Sequence, residues 1–215
     1  MPFVSAVRVC PVRACDYDAV MRTSHLLYLH GFRSSPLSTK AQKMAARVAT
    51  QCPEVSWWCP QLPPSPAEAA SLIQAGTAQW PADRMAVVGS SLGGYYATWL
   101  AQERGCRAVL LNPAIDPARD LEAHIGEQSA WHDPAERFFF RPEYIEELKA
   151  LKTGPLRHPE RFLAVIAKGD EVLDWREMVQ RYADARVRLL PASDHALSDF
   201  DAHIDEVMEF LLSPT

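Results

Sequence analysis

Short, continuously apolar runs alternate with longer segments of helical periodicity from about residue 24 to the C-terminus. Such runs are typical of parallel strands that are buried on both faces, because each face of the strand then needs apolar side chains. Six of them are present, at residues 25–31, 55–59, 85–88, 107–112, 162–168 and 186–190. The pattern therefore predicts an α/β fold with a mostly parallel six-stranded sheet and helices on both faces.

The alternation stops between residues 113 and 159. Apolar positions in this stretch predict helical pieces at 117–125, 131–140 and 142–152, and no strand. We expect a helical insertion after the fourth strand, packed as a cap over the edge of the sheet. Alternation returns at residue 162, and the last helix is expected to open with a capping box at Ser198 and Asp201.

The N-terminal 22 residues show no clear periodicity, and a second methionine, Met21, precedes the structured part. We expect residues 1–22 to be a disordered extension, or the product of an upstream start codon assigned in error. A chain of 215 residues can form one domain with a substantial core. Residues 23–215 are therefore predicted to be a single domain that includes the insertion.

Composition and charge narrow the class of protein. The net charge of -5 and the lack of a Lys or Arg cluster argue against a nucleic-acid or anionic-membrane partner. No apolar run approaches the roughly twenty residues that span a bilayer, and charges interrupt every apolar stretch near the N-terminus that could act as a signal peptide. Five cysteines, an odd number without metal-like spacing, indicate reduced thiols. We expect a cytoplasmic protein with no metal and no cofactor.

The sequence Gly89-Ser-Ser-Leu-Gly93 joins the third predicted strand to the helix that follows. This is G-x-S-x-G in a strand–turn–helix context, where the sharp turn holds the middle residue in a strained conformation. The two glycines avoid clashes of a Cβ with neighbouring backbone. Ser91 would be exposed at a helix N-terminus, where negative charge is stabilised, so we predict that it is a nucleophile for acyl transfer. The alternative is a structural turn that matches the motif by chance.

Polar residues that follow the later strands complete a catalytic set. Ligands of open parallel sheets bind beyond the carboxyl ends of the strands, and Asp170 stands there directly after a glycine. Asp174, one turn further, and Asp116, after the fourth strand, are the alternatives for the acid. Of seven histidines, only His195 lies in a loop beyond a strand and downstream of these candidates. The order Ser91, Asp170, His195 is that of α/β-hydrolases.

Two backbone amides are predicted to stabilise the oxyanion of an acyl-transfer intermediate. One belongs to Leu92, the residue after the nucleophile, and the other to Phe32, in the loop after the first strand. Gly31 would let this loop approach the nucleophile closely. We expect His30 only to hydrogen-bond the backbone.

Five short motifs are spread over nearly the whole chain, from residue 24 to the C-terminus. They are Tyr28-Leu-His-Gly-Phe-x-Ser-Ser-Pro36, Gly89-Ser-Ser-Leu-Gly-Gly-Tyr-Tyr-Ala97, Asn112-Pro-Ala114, Gly169-Asp-Glu-Val-Leu-Asp174 and Asp194-His-Ala196. Together they resemble the motifs of the YqiA family of small bacterial esterases. The resemblance implies an α/β-hydrolase fold, carboxylesterase or thioesterase activity, and a catalytic triad at Ser91, Asp170 and His195. Residues 1–20 are extra to the family, and the insertion resembles it least.

These observations predict a serine esterase that cleaves short- to medium-chain acyl esters through an acyl-enzyme. The partner would be a small-molecule ester or thioester. An acyl-CoA thioesterase or an acyltransferase would use the same groups, and a catalytically silent interaction protein on this scaffold is the non-enzymatic alternative. Aromatic residues of the insertion are expected to line the acyl pocket: Phe138, Phe139, Phe140 and Tyr144.

Overall fold

A six-stranded parallel sheet forms the centre of the computed structural model, which describes residues 23–213. Its strands are β1 (His25–Leu29), β2 (Ser56–Trp58), β3 (Met85–Ser90), β4 (Arg107–Leu111), β7 (Phe162–Ala167) and β8 (Arg186–Leu190), while β5 and β6 lie in the insertion described below. The spatial order is β2-β1-β3-β4-β7-β8, and every neighbouring pair is parallel. This confirms the predicted α/β-hydrolase sheet.

Helices cover both faces of the sheet. They are α1 (Thr39–Gln51), α2 (Pro66–Thr77), α3 (Leu92–Arg104), α6 (Trp175–Arg181) and α7 (Ile204–Leu212). Side chains alternate between the two faces along each strand. Leu27 of β1 therefore packs in a hydrophobic cluster with α2, α3 and α6, whereas Leu26 packs in a second cluster with α1 and α7. Because both faces are covered, the four central strands, β1, β3, β4 and β7, are apolar at almost every position.

The insertion between β4 and β7 contains a short helix, α4 (Pro117–Asp120), two antiparallel strands, β5 (Gly126–Ser129) and β6 (Arg137–Phe140), and a second helix, α5 (Glu143–Ala150). The prediction of a helical piece at residues 131–140 is therefore wrong, and so is the expectation that this stretch has no strand. Along β6, Phe138 is half-buried, Phe139 is exposed and Phe140 is buried. The run of three phenylalanines concealed this alternation, although Phe favours strands.

The C-terminal helix begins later than predicted. A 3-10 turn at Phe200–Ala202 precedes α7, whose first residue is Ile204. The Ser198 hydroxyl donates to the Asp194 carboxylate at 2.6 Å, so it closes a turn in the preceding loop and does not cap the helix. The capping box predicted there is wrong.

Two further expectations concern the limits of the chain and the membrane. Residues 1–22, which were predicted to form an extension, lie outside the described residues. Between residues 23 and 213, no helix is both long enough and apolar enough to cross a membrane.

Candidate active site

The turn between β3 and α3 consists of a single residue, Ser91. Its backbone has φ 55° and ψ -121°, a conformation that is strained for a residue with a Cβ. A Cβ added at Gly89 would lie 2.1 Å from the carbonyl oxygen of Gly93, and one added at Gly93 would lie 2.0 Å from that of Leu29. Only glycine fits at both positions, so the turn can be this tight. It leaves the Ser91 hydroxyl at the N-terminus of α3, with no cap hydrogen bond to the helix.

The structure brings together the three residues that were predicted to be catalytic. Ser91 Oγ lies 3.1 Å from His195 Nε2, and His195 Nδ1 lies 2.7 Å from Asp170 Oδ2. The other carboxylate oxygen of Asp170 accepts from the amides of Val172 and Leu173, each at 2.8 Å. The Asp170 side chain has no exposed surface, whereas that of His195 is 20% exposed. With the Nδ1 proton directed at the carboxylate, Nε2 is free to accept the hydroxyl proton.

The two alternative acids lie elsewhere. Asp174 caps α6 by accepting from the amide of Arg176 at 2.9 Å. Asp116 lies 3.5 Å from the ammonium of Lys152, on the insertion. Neither carboxylate contacts His195 among the interactions of residues 23–213.

The loop after β1 lies directly against the nucleophile. A Cβ at Gly31 would be 3.1 Å from the Cβ of Ser91, so the backbone of the loop reaches the Ser91 side chain. The amide of Phe32 follows in this loop, and that of Leu92 opens α3, where it has no acceptor within the helix. Both predicted oxyanion donors therefore border the nucleophile.

His30 is fixed by the backbone, as predicted. Its Nδ1 lies 3.0 Å from the carbonyl oxygen of Gly31, and its Nε2 accepts from the amide of Leu62 at 3.0 Å. An imidazole that accepts at one nitrogen is neutral, and burial lowers the pKa of His30, which favours the same form. This histidine holds the loop after β1 against the segment before α2.

The same loop is attached to the insertion. The guanidinium of Arg33 donates to the Ser129 carbonyl at 2.6 Å and to its hydroxyl at 3.1 Å. The Arg33 carbonyl accepts from the amide of Trp131 at 2.8 Å, and the guanidinium stacks 4.0 Å from the centre of that ring. Phe32 packs edge-on against Phe138 and Phe140. Residues 31–34 and the β5–β6 hairpin thus form one packed unit.

Asn112, the only asparagine in the chain, was quoted in a motif but not assigned a role from the sequence. It is fully buried and has φ 43°. Its Nδ2 donates to the carbonyls of Asp194 (2.9 Å) and His195 (3.1 Å), and its Oδ1 accepts from the amide of Ala167 at 2.8 Å. One side chain therefore joins the end of β7 to the histidine loop, residues 194–197. The sequence feature that could have indicated this role is the position of a polar residue directly after the apolar run of β4.

Two more side chains hold the histidine loop. The carboxylate of Glu171 accepts from the amide of His195 at 3.1 Å, and the ammonium of Lys40 donates to the carbonyl of Ala196. Leu197 has φ 50°, so the loop turns sharply after His195. No local sequence pattern marks the Glu171 or the Lys40 contact, because 24 and 156 residues separate the partners.

Two cavities meet at Phe32. One, of about 410 Å³, opens on Ser91 and His195, and we call it the serine cavity. The other, of about 310 Å³, lies beside Leu92, and we call it the apolar cavity after the Leu62, Tyr96 and Phe138 side chains in its wall, which also carries Arg33 and Glu136.

The four aromatic residues that were expected to form the acyl pocket are placed differently. Phe138 lines the apolar cavity. Phe139 is 57% exposed and Phe140 only 1% exposed, the latter packed against Tyr144. Of the four, Phe138 is therefore the one in contact with a cavity beside the nucleophile.

A larger groove, of about 650 Å³, lies along α3, α6 and the insertion and contains no member of the catalytic set. Its basic side chains already have partners within the chain. Arg119 pairs with Glu177 and Lys152 with Asp116, while Arg181 donates to the Thr153 hydroxyl and the Gly154 carbonyl. Within residues 23–213, no three His, Cys, Asp or Glu side chains are grouped so that they could hold a metal ion.

Comparison with known proteins gives a family and a fold. The model of a family described as "Uncharacterised protein family (UPF0227)" matches residues 25–212. A protein from Agrobacterium vitis S4 that is assigned as a hydrolase has a TM-score of 0.70 at 20% identity, over 89% of this chain and 91% of that chain. For alpha/beta hydrolase domain-containing protein 10 from mouse, the TM-score is 0.66 at 15% identity, over 89% and 92%. A structure of the metagenome-derived lipolytic enzymes LipS and LipT gives 0.64 at 15% identity, over 89% and 94%. These likenesses show the α/β-hydrolase fold.

Proposed function

Because this chain belongs to UPF0227, the YqiA family that its motifs resemble, and has the α/β-hydrolase fold, we propose that it is a serine esterase. It would cleave short- to medium-chain acyl esters through an acyl-enzyme. The observation that carries the proposal is the continuous hydrogen-bonded chain from Ser91 Oγ through His195 to Asp170. The lipolytic activity named for one structural relative is in keeping with it.

The reaction proceeds in two halves. The Ser91 oxygen attacks the ester carbonyl carbon while His195 Nε2 takes the hydroxyl proton, and Asp170 stabilises the resulting imidazolium. The carbonyl oxygen becomes an oxyanion that accepts from the Phe32 and Leu92 amides. Collapse of this intermediate expels the alcohol, which takes the proton from His195. Water then attacks the acyl-enzyme by the same route, giving the carboxylic acid and free Ser91.

Each member of the set has a structural reason for its role. The strained turn holds Ser91 where the N-terminus of α3 favours a developing negative charge. Two backbone amides fix the Asp170 carboxylate, so its second oxygen is aimed at His195 without freedom to rotate. A thioesterase or acyltransferase would share this acyl-enzyme and differ only in the leaving group or the acceptor.

Labelling with a fluorophosphonate tests the nucleophile directly. We expect mass spectrometry to find the adduct on Ser91, and labelling and ester hydrolysis to disappear together in Ser91→Ala. Ser71→Ala, at an exposed serine of α2, is the matched control and should retain both. Absence of an adduct in the folded wild-type protein would instead support the interaction protein on a hydrolase scaffold. A panel of oxygen esters and thioesters of equal acyl length separates esterase from thioesterase.

A further inference from the structure

The serine cavity has an unusual wall for a chain whose net charge is -5. Among the described residues that line it there is no Asp and no Glu. The wall carries one ammonium, that of Lys40, and several hydroxyls, including those of Ser34, Ser38 and Thr39. Polar donors therefore face the space next to the nucleophile, with no carboxylate among them.

The N-terminus of α1 contributes to the same wall. Ser38, Thr39 and Lys40 line the cavity, and they are the cap and the first two residues of this 13-residue helix. The cap side chain makes no hydrogen bond to the helix, and the first turn has no acidic residue. The first amides of a helix have no acceptor within it, and its dipole favours an anion there. Two helices, α2 and α6, are capped by a side chain at their start, that of Asp174 in α6.

A buried hydroxyl at the same place has no well-placed partner. Tyr28 is fully buried, and its hydroxyl makes no hydrogen bond of good geometry within the described part of the chain, although the Ser38 and Ser90 hydroxyls are close enough to lower its pKa against the effect of burial. It lies near the hydroxyls of Ser38 and Ser90 in the cavity wall. Burial raises the pKa of Tyr28, so the group stays protonated and can donate. A buried donor without a well-placed acceptor is rare in folded proteins, so an acceptor from outside the chain, a water molecule or a ligand group, fits there.

Lys40 can donate further hydrogen bonds. Its ammonium has three N–H donors, and one of them is directed at the carbonyl of Ala196. Burial lowers the pKa of Lys40 to about 8, while the charges of Asp194 and Asp170 act in the opposite direction. The side chain is therefore mostly protonated at neutral pH.

We propose that the serine cavity is a subsite for an anionic group of the ester substrate, a carboxylate or similar oxyanion close to the scissile bond. The group would accept from the Lys40 ammonium, the first amides of α1 and the Tyr28 hydroxyl. The uncharged, apolar part of the substrate would occupy the apolar cavity, against Phe138. This proposal rests on the proposed esterase activity and adds the substrate class to it.

Matched pairs of activated esters test the subsite and show which half of the substrate carries the charge. For the acyl half, the pair is mono-4-nitrophenyl glutarate and neutral 4-nitrophenyl hexanoate. For the alcohol half, it is 3-carboxy-4-nitrophenyl butyrate and 4-nitrophenyl butyrate. We expect wild-type kcat/KM to favour the anionic member of one pair by at least about tenfold, as for a charge-assisted hydrogen bond.

Substitution of Lys40 separates recognition from positioning. In Lys40→Met, the ratio of kcat/KM for the anionic to the neutral ester should fall by at least about tenfold. A decrease in kcat/KM that is the same for both esters measures the effect of losing the hydrogen bond from Lys40 to the Ala196 carbonyl. Lys43→Met is the matched control, because Lys43 lies one turn along α1 and pairs with Asp201 at the surface. Tyr28→Phe, which removes only the hydroxyl, should lower this ratio several-fold. It provides an independent test of the subsite if the Lys40→Met variant does not fold.

The ratio should also fall as the pH rises above about 8, because Lys40 then loses its charge. The other titratable groups near it are Asp170, Asp194, Tyr28, His30, His132 and His195, and the neutral ester corrects for their effect on hydrolysis itself. Equal wild-type kcat/KM within both pairs would overturn the proposal. So would an equal loss on both esters in Lys40→Met together with an unchanged ratio in Tyr28→Phe. Absence of any hydrolysis that depends on Ser91 would instead refute the esterase itself.

Discussion

Replacement of Asn112 by Asp perturbs the histidine loop with the least change in shape. The new side chain keeps an oxygen for the amide of Ala167 but puts a second oxygen where Nδ2 now donates to the carbonyls of Asp194 and His195, at 2.9 and 3.1 Å. Two carbonyls that lose their donor cost about 1–3 kcal/mol each when they stay buried, hence about 2–6 kcal/mol together. The loop relieves this cost by moving away from Asn112, and the imidazole moves with it.

A displacement of the imidazole by about 1 Å is expected to lower kcat by roughly 100-fold. KM should change less than about threefold, because Asn112 lines neither cavity beside the nucleophile. Steady-state kinetics on one activated ester give both constants, and thermal unfolding gives the change in stability. Thr98→Val is the matched control, since it removes a buried hydrogen bond at 2.8 Å to Tyr182, away from the histidine loop. It should lower Tm without lowering kcat.

The double variant with His195→Ala shows whether Asn112 acts through the histidine. If it does, Asn112→Asp should cause almost no further loss of kcat in the His195→Ala background. A further loss of about 100-fold there, or a single Asn112→Asp variant that unfolds more easily but keeps kcat within threefold, would refute the positioning role.

Three other outcomes are expected. Asp170→Asn should remain folded by circular dichroism but lose up to about four orders of magnitude in kcat, whereas Asp174→Asn, at a helix cap, should lose at most about tenfold. The reverse order would move the acid along the chain. Phe138→Ala should shift the preferred acyl length on a chain-length panel, and Phe139→Ala, at an exposed ring, should not; equal shifts would contradict this assignment of the apolar cavity. Removal of residues 1–20 should leave Tm and kcat nearly unchanged, and an insoluble product would show that this segment packs on the domain.

Local sequence signals were sufficient to predict the sheet and the tight turn at Ser91. The central strands are apolar on both faces, and Gly89 and Gly93 are required by backbone contacts that any such turn makes. Position alone also favoured Asp170 over Asp174. A residue directly after a parallel strand lies at the carboxyl edge of the sheet, and His195 follows the last strand at the same edge. In each case the physical cause lies within a few residues of the signal.

The parts that sequence analysis missed depend on distant partners. Lys40 meets the Ala196 carbonyl across 156 residues, and Asn112 meets the histidine loop across more than 80, so no local pattern marks either contact. The β5–β6 hairpin was missed for another reason. Three consecutive phenylalanines, ending at Phe140, show neither the spacing of a helix face nor the alternation of a strand, and the pairing with β5 decides the structure.

The attachment of residues 31–34 to the hairpin bears on how the proposed esterase could diverge. In a modular hydrolase, an insertion can be exchanged for another to change substrate preference while the chemistry is kept. Here the Arg33 guanidinium and the Trp131 amide connect the insertion to the segment that carries the Phe32 amide. A graft from a relative would therefore disturb the oxyanion donor as well as the pocket. Changes in this hairpin are then limited by the need to keep the Phe32 amide in place for catalysis. New specificities would therefore arise more readily by single substitutions inside the hairpin than by its replacement.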